Sequence, residues 1–286
     1  MSVQTDAFFD TVTGTVSYLV YDRAGGHAAI VDPVLDYEPT AGRISHAGAE
    51  RIARRVRERG LSIDWLLETH VHADHLSGAA WLQSRLGGLI GIGRHVDAVQ
   101  RHFKPLFGLG DDFAADGAPF DLLLDDGDTL PLGGLAIKVL HLPGHTAADV
   151  GYRICDAVFI GDTLFMPDIG SARCDFPGGD AARLFRSVQR LYALPPDTRL
   201  FLCHDYPHDG REPAWQTTVA AQRAGNIHIR DGVDEAAFVA LRTARDATLA
   251  MPVLILPAIQ VNIRAGRLPD ADENGTRYLK IPLDAL

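Results

Sequence analysis

The sequence predicts an α+β sandwich, two sheets packed face to face with helices on both outer sides, and three observations carry that prediction. Strand-like and helix-like patterns alternate up to about Phe107, short strands at close spacing follow from Phe120 to Ile160, and helix, strand and helix return after Ala181. An order of this kind supplies two sheets for a shared core and helices to cover both outer faces. With 286 residues, 47% of them apolar and 22% charged, the chain can bury such a core. No internal repeat, low-complexity tract or linker divides it, so residues 1–286 read as one domain, with 210–286 as a C-terminal appendage packed on it.

Taken in order, Val16 to Tyr21 and Ala28 to Val31 read as a hairpin around Gly25-Gly26. Ala49 to Arg59 places Ile52 and Val56 one turn apart among charges, which predicts an amphipathic helix stopped by Gly60. A buried strand at Trp65 to Leu67 precedes a helix at Leu76 to Leu86, a strand at Leu89 to Ile92 and a helix at Val96 to Phe107. From Phe120 the strands Leu122–Leu124, Leu135–Leu140, Gly151–Ile154 and Ala157–Ile160 are separated by turn residues, which predicts antiparallel pairing. A helix at Ala181 to Tyr192, a strand at Leu200 to Cys203 and a last helix near Glu235 to Leu249 complete the reading.

The net charge of −10 argues against a nucleic-acid or anionic-membrane surface, because those surfaces gather Lys and Arg. Cys155, Cys174 and Cys203 are too few and too irregular for a disulfide framework, which points to a reducing, cytoplasmic setting. The N-terminus shows neither a secretion signal nor a transit peptide, and no stretch approaches the roughly 20 apolar residues of a membrane span.

Chemistry concentrates in seven residues at the ends of predicted strands: His70, His72, Asp74 and His75 in one loop, then His145, Asp162 and His204. Packing that many imidazoles and carboxylates together would be costly without an ion to offset their burial. Imidazole with carboxylate suits zinc, iron or manganese rather than calcium or magnesium. Gly144 and Gly161, each just before a candidate ligand, supply the backbone freedom for a sharp turn. His141 and His228, isolated from this set, read as ordinary surface or core residues.

The run THVHADH with the later LPGHT, FIGDTLF and CHDY, spanning about Val12 to Tyr206, resembles the metallo-β-lactamase superfamily. The resemblance implies an αββα sandwich of two mixed sheets with the metal at one edge between them. In dinuclear members the residues matching His70, His72 and His145 hold one metal, those matching Asp74, His75 and His204 hold another, and the match to Asp162 bridges. The segment from Gly170 to Asp180, with Ala172-Arg173-Cys174-Asp175-Phe176 at its centre, is similar to the persulfide dioxygenase branch, as are the HDY triplet and the tail from Val261 to Gly266. That branch oxidises glutathione persulfide with O₂ to sulfite and glutathione at one Fe(II), which implies His70, His145 and Asp162 as ligands here. His72, Asp74, His75 and His204 would then support those ligands or hold a second metal.

Around the metal, Arg173 offers a planar cation for a substrate carboxylate, although Asp175 two residues on is an equally natural partner. Tyr206 is placed to hydrogen-bond near the metal, Arg264 in the tail is a candidate for glutathione binding, and Cys174 invites a reading as a persulfide relay. The interval between His75 and His145 is longer than the branch leads one to expect, with the excess at residues 102–120, where it could reshape the substrate mouth. A dinuclear zinc hydrolase of the same fold, a hydroxyacylglutathione thioesterase or lactonase, is the alternative. A non-catalytic metal or sulfur sensor is a third reading. The sequence leaves the oligomeric state open, and a homodimer is compatible with it.

Overall fold

In the computed structural model, which describes residues 3–208 and 210–285, alternating apolar residues build two sheets around one shared layer. The first half of the chain runs through β1 (Gln4–Phe9), β2 (Val16–Tyr21), β3 (His27–Val31), β4 (Val34–Glu38), β5 (Arg43–Ser45), α1 (Ala47–Glu58), β6 (Ser62–Leu67), β7 (Leu76–Ser77), α2 (Ala79–Leu86), β8 (Leu89–Gly93) and α3 (Val96–Leu106). The second half contributes β9 (Leu122–Leu124), β10 (Thr129–Leu132), β11 (Leu135–His141), β12 (Val150–Ile154), β13 (Ala157–Phe159), α4 (Ala181–Tyr192), β14 (Arg199–Phe201), β15 (Gln216–Thr218), α5 (Val219–Gly225), α6 (Glu235–Asp246) and α7 (Ile255–Asn262). The strands form two sheets ordered β1-β2-β3-β6-β8-β9 and β10-β11-β12-β13-β14-β15, with a small third sheet β5-β4-β7.

Strand periodicity divides each sheet cleanly. Val16, Tyr18 and Val20 face inward against Val139, Tyr152, Phe159 and Phe201 of the second sheet. Leu19 and Tyr21, one residue out of phase, face outward and meet Ile52 and Val56 of α1, Leu82 of α2 and Val99 and Phe103 of α3. On the other side Leu140, Val158 and Leu200 meet Leu184, Val188 and Leu191 of α4 and Phe238 of α6. The αββα sandwich follows from these three apolar layers.

Several elements depart from the sequence reading. Both sheets are mixed, as the resemblance implied, but β9 pairs parallel to β8 in the first sheet and β13 parallel to β14 in the second, so the antiparallel pairing expected from Phe120 to Ile160 holds only for β10 to β13. A three-residue apolar strand states that it is buried, not which neighbour it joins. The expected helix from Leu76 begins two residues as strand, because Val34 and Leu35 of β4 capture Ser77 and Leu76. Glu235 does not open the last helix, since α7 follows it and packs Ile255 and Ile259 into the first helical layer. Residues from 210 onward, expected as an appendage, give β15 to the second sheet and helices to both outer layers. No helix among the described residues is long and apolar enough to cross a membrane.

Phe159 is 1% exposed in the inter-sheet layer, where it stacks on Phe201 with ring centroids 4.8 Å apart and meets Tyr18 edge-on at 5.1 Å. Phe159→Ala should therefore lower unfolding free energy by about 3–5 kcal/mol in a denaturant titration, the range for emptying a buried aromatic site. A loss under about 1 kcal/mol would mean the layer collapses to fill the hole.

Candidate metal centre

The predicted ligands converge at one edge of the sandwich, on loops leaving the ends of strands from both sheets. The loop carrying His70, His72, Asp74 and His75 leaves β6, whereas His145 follows β11, Asp162 follows β13 and His204 follows β14. Two backbone contacts close the seam there: the Val150 N–H donates to the Thr69 carbonyl at 2.9 Å, and the Val16 N–H donates to the Cys203 carbonyl at 2.7 Å. The two glycines have the roles their positions suggested. Gly144 has φ +150° and lies so close to α4 that a Cβ would come 2.3 Å from the Leu184 Cα, while Gly161 has φ +52° with the Thr69 side chain against it.

The donors form two groups. Ligand atoms of His70, His145 and Asp162 lie within 4.8 Å of one another, and those of His72, Asp74, His75 and His204 make a second such set. Asp162 faces both: its Oδ2 is 3.8 Å from His70 Nε2 and 3.7 Å from His145 Nε2, and its Oδ1 is 3.6 Å from His204 Nε2. His204 Nε2 also lies 3.2 Å from Asp74 Oδ2. The five histidines are at most 5% exposed. Burial and the surrounding imidazoles push His70 well below the ordinary imidazole pKa, which keeps it neutral with a lone pair to give. His145 donates its Nδ1–H to the Arg173 carbonyl at 2.8 Å, a bond that turns its Nε2 lone pair toward Asp162.

This donor set fits a transition-metal ion. Among the described residues eight buried side-chain polar atoms lack a hydrogen-bond partner, and five are here: His72 Nδ1, Asp74 Oδ2, His75 Nε2, Asp162 Oδ1 and His204 Nε2. Each orphan would cost about 1–3 kcal/mol if nothing met it, so their concentration calls for a cation. Nitrogen and carboxylate donors, without thiolate, suit iron or zinc.

Three residues that sequence reading passed over hold the donor loop. Asp32, just after β3, accepts from the Thr69 N–H at 2.7 Å, the Thr69 hydroxyl at 2.9 Å and His72 Nε2 at 3.0 Å, which leaves His72 its Nδ1 as donor atom. Burial opposes a charge on His72, but Asp32 and Glu68 outweigh it and raise its pKa well above normal. Glu68 also accepts from the Ser77 hydroxyl at 2.5 Å. Asn262 at the end of α7 donates to the His72 and His75 carbonyls, both at 2.8 Å, and accepts from the Ser77 N–H. A faint signal existed: Asp32 ends a buried apolar strand ahead of a proline, and Asn262 lies in the tail already singled out.

The structure also redistributes the substrate candidates. A cleft of about 250 Å³ opens over His145, Asp162 and Asp74, walled by Phe165, Arg173, Phe176 and Tyr206 among others. Tyr206 stacks flat on His204 at 5.6 Å and stands at this cleft. Arg173 is there too, but it pairs in two-pronged fashion with Asp175 at 2.6 and 2.7 Å and gives a third N–H to the Ala250 carbonyl. Arg264 is not at the site: its guanidinium lies 4.7 Å over the Phe113 ring and donates to the Gln260 carbonyl, so the glutathione-binding expectation is corrected. Cys174 is corrected likewise, since its side chain packs in the apolar layer under α4, off the cleft lining, and burial and Asp246 push its thiol pKa up. None of residues 102–120 lines the cleft; Phe113 and Phe120 pack into the first helical layer instead of reshaping the mouth. Cys203, by contrast, sits directly under the donors, with Sγ within 4.8 Å of ligand atoms from Asp162 and His204. Burial and nearby carboxylates hold it as a thiol.

Asp32→Ala and Asn262→Ala should each weaken metal retention 10–100-fold in a chelator competition, although neither residue belongs to either donor group. Retention equal to that of the parent protein in both variants would show that the loop keeps its shape without them.

Comparison with known proteins agrees with this geometry. The metallo-beta-lactamase superfamily domain is matched over residues 10–204. The chain is 56% identical to a probable metallo-hydrolase of Burkholderia pseudomallei, across 98% of this chain and 99% of that protein. It is 47% identical to a beta-lactamase hydrolase-like protein of Xylella fastidiosa, where it spans 99% of its own length but 65% of the relative's. Identity to the mitochondrial persulfide dioxygenase of Homo sapiens is 31%, over 90% of this chain and 87% of that one. Among solved structures, ETHE1 from Myxococcus xanthus superposes with a TM-score of 0.73 at 28% identity, covering 92% of this chain and all of that one. By its fold, its paired donor groups and these likenesses, the chain belongs to the metallo-β-lactamase superfamily.

Proposed function

We propose that the protein is a persulfide dioxygenase that oxidises glutathione persulfide with O₂ to sulfite and glutathione, using a single Fe(II) held by His70, His145 and Asp162. The observation that carries the proposal is that His70, His145 and Asp162 form a compact group of two imidazoles and a carboxylate, with His145 and Asp162 lining the cleft. Three protein ligands of this kind leave coordination positions for dioxygen and a sulfur ligand. The iron, when bound, supplies the electron transfer that joins oxygen to sulfur. Likeness to the human and Myxococcus proteins over most of the chain supports the same reading.

The chain's own residues hold and orient. The Arg173 carbonyl fixes the His145 tautomer, and the Asp32–His72 and Asn262 contacts set the direction of the donor loop. Phe165, Phe176 and the flat Tyr206 ring give the cleft apolar walls that limit water around the reacting sulfur. With one iron, the unpartnered atoms of His72, Asp74, His75 and His204 would be met by hydrogen-bonded water in place of a second ion. All three cysteines are free thiols among the described residues, which suits work in the reducing cytoplasm.

The second donor group is complete as well, and the Burkholderia and Xylella relatives carry hydrolase names. That observation favours, as a second reading, a dinuclear zinc hydrolase acting on a glutathione thioester or a lactone, in which both donor groups would hold metal and the pair would supply an activated water for hydrolysis. Metal analysis of protein purified without added metal, together with oxygen uptake, separates the two. The dioxygenase reading expects about one iron per chain and O₂ consumption on glutathione persulfide. Two zinc ions and hydrolysis without oxygen uptake would establish the other. In either case His145→Ala should lose metal and activity together, and an active, metal-loaded His145→Ala protein would overturn the ligand assignment.

A further inference from the structure

Helix α6 forms one wall of the cleft. Arg242, Arg245 and Leu249 line it, at spacings of three and seven residues from the first, which places them along one helical face and its continuation. With Arg173, three guanidinium groups border a small cleft in a protein whose net charge is −10. They are not equivalent. Arg173 is neutralised by Asp175 in a two-pronged pair. Arg242 is 1% exposed, pairs with Asp246 at 2.7 Å and donates to the Ser171 carbonyl at 3.0 Å. Asp246 in turn accepts from the Cys174 N–H at 2.9 Å, so this buried pair fixes the 171–174 backbone whose Arg173 carbonyl orients His145. Arg245 is exposed at the rim, and among the described residues no carboxylate forms an ion pair with it.

The cleft therefore has metal donors at its floor, apolar side chains such as Phe165, Ile169 and Pro252 along its walls, and one uncommitted planar cation at its rim. A ligand complementary to that profile carries a metal-seeking atom at one end and a carboxylate at the other. Guanidinium and carboxylate match as a two-pronged, charge-assisted pair, a geometry that an ammonium cannot reproduce. We infer that Arg245 is the carboxylate-recognition residue of this cleft, and that it restricts the substrate to thiol peptides or other persulfides bearing a carboxylate remote from the sulfur. The inference rests on the persulfide reading for the sulfur end only; the carboxylate end stands on the charge arrangement of α6. Arg173, expected from sequence to fill this role, is instead a structural pair beside it.

The test measures binding without turnover. Calorimetric titration of metal-loaded protein with S-methylglutathione, an unreactive thioether, and with its dimethyl ester, which lacks both carboxylates, should show the acid binding about tenfold more tightly than the ester. Arg245→Gln should abolish that preference while leaving ester affinity and metal content unchanged, and Arg245→Lys should restore part of it. With turnover, Arg245→Gln should raise KM for glutathione persulfide about tenfold at unchanged kcat, the mark of uniform binding. An undiminished preference for the acid in Arg245→Gln, or equal binding of acid and ester by the parent protein, overturns the inference. Absence of oxygen uptake alongside an Arg245-dependent preference would sink the dioxygenase reading and leave the recognition role standing.

Discussion

One buried carboxylate organises the donor loop. Asp32 is 1% exposed, sits at φ +48° after β3, and would be expensive to bury were it not met by the Thr69 N–H, the Thr69 hydroxyl and the His72 ring. Its own backbone is pinned, N–H to the Leu67 carbonyl and carbonyl to the Ser17 hydroxyl, so the carboxylate cannot follow a shift in the loop. The ends of β3 and β6, adjacent parallel strands, thereby become one rigid platform from which His70 and His72 project. The Glu68 and Asn262 contacts repeat the principle from the sides. Asp32 after β3, Glu68 just ahead of the loop and Asn262 at the end of α7 thus determine where the stretch from His70 to His75 points.

That arrangement explains which parts of the molecule could be read from residues alone. The His70 to His75 string was legible because its chemistry is local: so many ligands in one loop make sense only around an ion. The sandwich was legible because Val16 to Tyr21 and Leu135 to Leu140 show strand periodicity and Ala181 to Tyr192 shows helical periodicity directly. Asp32 and Asn262 were not, since an aspartate after a strand and an asparagine in a tail acquire meaning only through partners 37 and about 190 residues away. Strand β10, carrying Pro131 at the sheet edge, lacks the run of β-formers that would announce it. Helix α7, apolar with Pro257 inside, shows no amphipathic stripe because both of its sides are covered. Arg264 and Cys174 failed for a related reason: sequence proximity to a motif says nothing about which way a side chain faces.

The electrostatics of the cleft follow the same division. Overall acidity repels anions at long range, and the donor floor itself contributes Asp74 and Asp162. Positive charge comes from a different layer, on α6, whose Arg242 is spent on structure and whose Arg245 is left at the surface. Chemistry is thus assigned to strand ends and recognition to a helix that contributes no metal donor.

The distribution of donors over both sheets also bears on how the protein matures. In an unfolded chain only the 70–75 stretch presents several ligands together; His145, Asp162 and His204 join it after the two sheets have packed and Val150 and Val16 have closed the seam. An ion held by donors from both sheets would therefore add its binding free energy to the assembled form alone, so that occupancy of this edge and the packing of the two sheets support each other.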